Sequence, residues 1–237
     1  MAMAATTTTV KLSVSDGSGM QAFVARPAGT PRGGLLVFQE AFGVNAHIRD
    51  VAQRWAAEGY TAIAPELFHR SGPGFEGKYD DFPAVMVHMK QLTPDGLAAD
   101  IRAAHEWLGK EGKIGGAAKD RIGAIGFCMG GRVAMLAATA VPLAAAASYY
   151  GGGFPVEKAA EVKAPLMMFW GGLDKHITPE IRRGLVDALT AAGKEFSSTV
   201  FSQADHGFNC DQRASFNPEA SALAGAMTRS FFERHIR

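Results

Sequence analysis

Only two cysteines, Cys128 and Cys210, occur among the 237 residues, too few for a disulfide framework. A reducing compartment is therefore expected, with both thiols free for other work. Nowhere do about 18 apolar residues run uninterrupted, which excludes a membrane-spanning helix. An excess of either charge is missing as well. Lys and Arg total 24 against 23 Asp and Glu, so no bulk field would recruit nucleic acid or an anionic membrane. The opening MAMAATTTTV lacks the basic start and apolar stretch of a secretory leader, and a cytoplasmic location is expected. No GK[ST] phosphate loop, H-E-x-x-H or clustered Cys/His spacing occurs, so neither a cofactor nor a metal is expected. Gly72-Pro73-Gly74-Phe75-Glu76-Gly77 matches G-x-G-x-x-G in letters only. It lies well past the nearest apolar run, contains a proline and a carboxylate, and opens no clear helix, so it reads as loop.

What is present suits one α/β domain over residues 1–237, since 47% hydrophobic residues suffice for a sizeable core. Residues 1–8 read as a flexible tail. Residues 10–14 and 20–26 alternate apolar with polar around Asp16-Gly17-Ser18-Gly19, as an antiparallel hairpin would. Short apolar runs then follow at 35–39, 60–64, 122–127, 143–149, 165–170 and 196–201, separated by helix-like segments. Continuous rather than alternating hydrophobicity predicts strands covered on both faces, hence a mostly parallel sheet between helices. Thr93-Pro94 and Thr178-Pro179-Glu180 carry helix-start signals, the latter before 181–192, which Gly193 stops. A last helix is expected from Asn217-Pro218-Glu219 toward His235, and 71–83 reads as a surface loop.

The sharpest local feature is Gly126-Phe127-Cys128-Met129-Gly130-Gly131, between a predicted strand and the helical run 132–140. A strand turning directly into a helix forces its central residue into a tight elbow, and flanking glycines remove side chains that would collide there. The helix N-terminus favours a thiolate, and its free amides suit an oxyanion. Alone, Cys128 reads equally as a small core residue. A nucleophile here, however, requires an acid and then a histidine further along, each just beyond a strand. Asp174, in Gly171-Gly172-Leu173-Asp174, fills the acid position, although an aspartate beside glycine also serves as a turn residue. His206, in Asp205-His206-Gly207-Phe208, fills the histidine position. Asp205 and Asp211 compete for the acid role, but a carboxylate adjacent in sequence seldom reaches the far ring nitrogen. The other histidines, His47, His69, His88, His105, His176 and His235, default to surface or satisfied positions.

Together these residues resemble the dienelactone hydrolase family, across nearly the whole chain. The resemblance is carried by Gln39-Glu40-Ala41-Phe42-Gly43-Val44-Asn45, the 126–131 elbow, Tyr149-Tyr150-Gly151, Gly171-Gly172-Leu173-Asp174 and His206-Gly207-Phe208. It implies an α/β-hydrolase fold, Cys128 as nucleophile, His206 as general base and acid, and Asp174 as the group orienting His206. It further implies that Glu40 contacts the resting thiol and that the backbone amides of Ala41 and Met129 form the oxyanion hole. Apart from the family, Glu40 reads as a strand-end carboxylate that needs a polar partner, whether the catalytic pair or a structural ion pair. The implied reaction opens dienelactone to maleylacetate through a thioester, without a cofactor.

Family members that act on dienelactone hold its carboxylate with arginines, one of them four residues after the histidine, where Cys210 stands here. Arg70 and Arg213 are the only arginines near enough in sequence to substitute, so a related lactone or an uncharged ester is a competing expectation. Phe42, Tyr150, Trp170 and Phe208 are candidate pocket walls, with core packing as the alternative. A small-molecule lactone or ester is the expected partner of a monomer or small homo-oligomer. A general carboxylesterase or thioesterase, and a binding protein that has lost turnover, are the competing functions.

Overall fold

The computed structural model describes residues 5–112, 114 and 121–237. Its centre is an eight-stranded sheet in the order β1-β2-β4-β3-β5-β6-β7-β8. The strands are β1 (Thr6–Ser13), β2 (Gly19–Arg26), β3 (Gly33–Phe38), β4 (Tyr60–Pro65), β5 (Ile122–Phe127), β6 (Ala145–Tyr149), β7 (Leu166–Gly171) and β8 (Phe196–Phe201). The hairpin β1–β2 is antiparallel and joins β4 antiparallel; every pairing from β4 through β8 is parallel. The mostly parallel sheet with an antiparallel N-terminal hairpin is thus as expected.

Strands β3 through β7 are buried along their whole length, which is why their sequences run apolar without alternation. Strand β8 departs from that expectation. As the far edge it has one neighbour, and Ser197, Ser198 and Val200 are exposed. Part of the segment expected as tail is strand. Thr6–Thr8 pair with β2 as part of β1, because β-branched threonines suit an edge strand even where no apolar alternation announces one. Residues 1–4 lie outside the described residues.

Helices cover both faces. On one, α1 (Ala46–Ala57) and α6 (Pro218–His235) meet where Trp55 packs edge-on against Phe232, ring centroids 5.3 Å apart. On the other, α3 (Pro94–Lys110) packs beside α4 (Met129–Ala140). Asn45, Thr93, Thr178 and Asn217 cap α1, α3, α5 (Pro179–Ala191) and α6, each side chain accepting from a backbone amide three residues on. The expected loop at 71–83 stops short at α2 (Phe82–Met89). Asp81 caps α2, and Pro83 sits in its first turn, so a proline that reads as loop is a helix opener.

His105 of α3 is buried and bonds the Pro142 carbonyl through Nε2 at 2.9 Å. Burial outweighs that bond and holds its pKa below the ordinary 6.5. A depressed value in the folded state means that the unfolded chain binds the extra proton first. The stability that His105 supports is therefore present above pH 6.5 and lost as pH falls below it. Urea midpoints taken from about pH 8 to about pH 5 should fall less for His105→Gln, whose amide still reaches the Pro142 oxygen. Equal falls in the two proteins would assign the acid sensitivity elsewhere.

Candidate active site

The carboxyl ends of β5, β6, β7 and β8 converge on one group of side chains. Cys128 occupies the junction of β5 and α4 with φ 55° and ψ −118°, backbone space that non-glycine residues rarely enter. Its amide donates to the Tyr149 carbonyl at 3.0 Å, and its carbonyl accepts from Gly131 and Arg132 at 3.0 and 3.3 Å. The glycines around it are required by contact. A Cβ on Gly126 would run into the Gly130 carbonyl, and one on Gly130 into the carbonyls of Phe38 and Gln39. Tyr150, one strand over, also has positive φ, at 41°. Strained positions thus stand at the ends of adjacent strands, a pattern common at functional sites.

Asp174 follows β7 with its carboxylate wholly buried. Its Oδ1 accepts from the amides of His176 and Ile177 at 2.8 and 3.1 Å, and its Oδ2 accepts from His206 Nδ1 at 2.7 Å. Burial pushes its pKa up, but the bond to His206, that ring's charge and the two amides together bring it below the carboxylate norm. On His206, burial disfavours the charged ring. Hydrogen bonds to Asp174 and Cys128, with the charges of both, prevail and raise its pKa to about 10. Because Nδ1 is committed to Asp174, Nε2 is the nitrogen left for the Cys128 sulfur. Imidazole and carboxylate are hydrogen-bonded, and the Cys128 sulfur stands near enough to the ring to help raise its pKa.

Glu40, just past β3, is completely buried, and its Oε1 accepts from Arg213 Nη1 at 3.3 Å. Burial raises its pKa even though Arg213 and His206 pull it down. Its Oε2 and the nearby Tyr150 hydroxyl are both buried without a hydrogen bond of good geometry. Arg213 lies over Phe42 and Tyr79, 5.7 and 5.8 Å from their ring centroids. Its guanidinium fills the space beside Gly207, whose φ of 82° and missing side chain let it in. Among the described residues the amides of Ala41 and Met129 donate to no backbone or side-chain acceptor.

Other expectations fare differently. Arg70 is committed elsewhere, in a bidentate pair with Asp100 at 2.9 and 2.8 Å and a bond to Asp16 at 2.8 Å, so it does not join the site. Trp170 belongs to the core, its indole donating to Ser198 of β8 at 2.9 Å. Phe208 is fully buried and packs edge-on against Tyr150, ring centroids 5.2 Å apart. Phe42 and Tyr150 do stand beside the site, the latter with its ring centroid 5.1 Å from that of His206. Asp205 is exposed and its carboxylate accepts from the His206 amide rather than the ring, and His176 contacts the His206 ring edge-on without bonding it. Tyr79 was not anticipated. It reaches in from the 71–81 loop, and an aromatic in a polar loop was the only local sign. His47, expected to be satisfied, is fully buried on α1 with no partner at either ring nitrogen.

Known proteins resemble this chain along most of its length. The dienelactone hydrolase family model matches residues 20–236. A Synechocystis protein provisionally named carboxymethylenebutenolidase is 34% identical over 215 residues, covering 86% of each chain. A Salmonella typhimurium protein so named is 37% identical over 226 residues, covering 89% of this chain and 81% of that one. A Klebsiella pneumoniae crystal structure, titled provisionally as a dienelactone hydrolase, superposes with a TM-score of 0.86 at 32% identity, covering 97% of this chain and 99% of that one. The described chain has no helix long and apolar enough to cross a membrane.

Proposed function

The chain belongs to the dienelactone hydrolase family, an α/β-hydrolase acting on esters or lactones, and from that premise we propose that Cys128 is its nucleophile. His206 is the acid and base, Asp174 orients it, and the substrate is dienelactone, opened to maleylacetate. The His206–Asp174 hydrogen bond, with the strained Cys128 elbow beside the ring, supports this reading. Arg213 supports the anionic substrate, because it brings to the site the guanidinium that position 210 lacks. Glu40 holds Arg213 there and faces the resting thiol.

The chemistry follows the charges. Sulfur adds to the lactone carbonyl while the amides of Ala41 and Met129 hold the oxyanion. The ring carbon–oxygen bond breaks, and the proton on His206 Nε2 goes to the departing enolate, which stays tethered as part of a thioester. Acylation removes the negative charge on sulfur that helped hold the imidazole proton. His206 thereby becomes a better base at the moment when water must be deprotonated. Hydroxide adds to the thioester, and sulfur leaves as thiolate. One set of residues performs both halves, so no cofactor is needed. The protein acts as one cytoplasmic domain, residues 1–237, monomeric or in a small homo-oligomer.

Intact-mass spectrometry during turnover tests the reading. With a slowly hydrolysed lactone, Cys128 should gain the whole substrate mass, since the leaving group stays attached; with an aryl ester it should gain the acyl part alone. The Cys128→Ala protein should gain nothing. Turnover without an adduct on residue 128, or an adduct on another residue, would refute the thiol mechanism.

A further inference from the structure

Beside the Cys128 group, where α1 meets the loop that leaves His206, a second set of ligating atoms comes together. His47, Cys210 and Asp211 each bring one nitrogen, sulfur or carboxylate oxygen within 4.8 Å of the others. His47 Nδ1 lies 3.8 Å from Asp211 Oδ1, beyond a hydrogen bond, and its two ring nitrogens are buried with nothing to bond. Buried polar side chains nearly always find a partner, and one that does not calls for a missing ion or a functional cause.

We infer that His47, Cys210 and Asp211 bind one divalent cation of the Zn²⁺ class, with water as the fourth ligand. A nitrogen, sulfur and oxygen set suits a borderline ion and is wrong for the hard, oxygen-seeking Ca²⁺ and Mg²⁺. The sulfur is already arranged as an acceptor. Asn45 Nδ2 donates to the Tyr79 hydroxyl at 3.0 Å, which leaves the phenol proton to point at Cys210 Sγ, 3.2 Å away. That bond persists once the ion arrives, supporting the thiolate from outside the ligand set. As the sulfur–metal bond forms, the Cys210 proton passes to solvent. The neighbouring guanidinium of Arg213 is paired with Glu40, which limits its repulsion of the cation. Asp211 is 57% exposed and gives the ion a way in. A bound cation ties α1 to the loop of His206, and Cys128 takes no part in holding it.

Chelator-treated full-length protein, titrated with Zn²⁺ against a chromogenic chelator and with Co²⁺ by absorption spectroscopy, tests the site. One Zn²⁺ per chain is expected, and with Co²⁺ a sulfur-to-cobalt charge-transfer band beside intense visible bands of tetrahedral geometry. Cys128→Ser should keep both signals. His47→Gln and Cys210→Ser should lose them. Asp211→Asn, a change at an exposed side chain that leaves the fold intact, should weaken Zn²⁺ binding about tenfold or more. Zn²⁺ should also raise the Tm of the native protein and of Cys128→Ser, and raise that of Asp211→Asn less. Failure of the native protein to bind Zn²⁺ stoichiometrically, unchanged affinity in Asp211→Asn, or loss of the signals in Cys128→Ser alone would overturn the assignment. The last outcome would move the ion to the catalytic thiol.

Discussion

Cys128→Ala is expected to lower kcat on a lactone or an aryl ester by about 10⁴-fold or more, with no loss of Tm. The expectation rests on covalent chemistry: without the sulfur no thioester forms, and the remaining amides merely polarise a carbonyl. Cys128→Gly should be equally inactive and more stable than the alanine variant. Holding a non-glycine residue at φ 55° and ψ −118° costs roughly 1–3 kcal/mol, and glycine sheds most of that, less its greater chain entropy. Turnover and melting curves for the three proteins decide both points. An alanine variant within about tenfold of native turnover excludes the thiol, and a glycine variant that melts below the alanine one removes the strain.

Asp174→Asn is expected to cost about 10²- to 10⁴-fold in kcat/KM. Asparagine still accepts from the amides of His176 and Ile177 through its oxygen, which turns its NH₂ toward His206 Nδ1. The ring then carries its proton on the wrong nitrogen, and the charge that helped raise its pKa to about 10 is gone. Removing a raising influence moves the His206 pKa down, so the alkaline limb of the pH–rate profile should shift to lower pH. Profiles of the native and variant proteins read this directly. An alkaline limb in the same place for both would show that His206 does not set it.

Much of this was legible in the chain because it is local. The elbow at Cys128 needs glycines on both sides of one residue, the parallel strands need unbroken apolar runs, and helix starts need a cap followed by proline. These are adjacent in sequence. Asp174 and His206 stand out by chain order and by lying just beyond a strand, Asp174 also after the Gly171-Gly172 bend. What escaped depends on distant contact. Nothing near Arg213 says that it reaches Glu40, whereas Arg70 spends its charge on Asp16 and Asp100. Tyr79 gains meaning only from Asn45 and Cys210, and His47 only from a loop more than a hundred residues away. Thr6–Thr8 escaped because an edge strand need not alternate, and α2 because Pro83 signals an opening and an ending alike.

The half-exposed outer strand β8 sets an order of failure on heating. His206 hangs from the end of that strand, the least protected of the parallel set, while Cys128 hangs from the buried centre. Fraying of the rim therefore separates the imidazole from the sulfur while most of the protein remains intact. If His206 is the catalytic base, hydrolytic rate is expected to fall at a lower temperature than the circular dichroism signal.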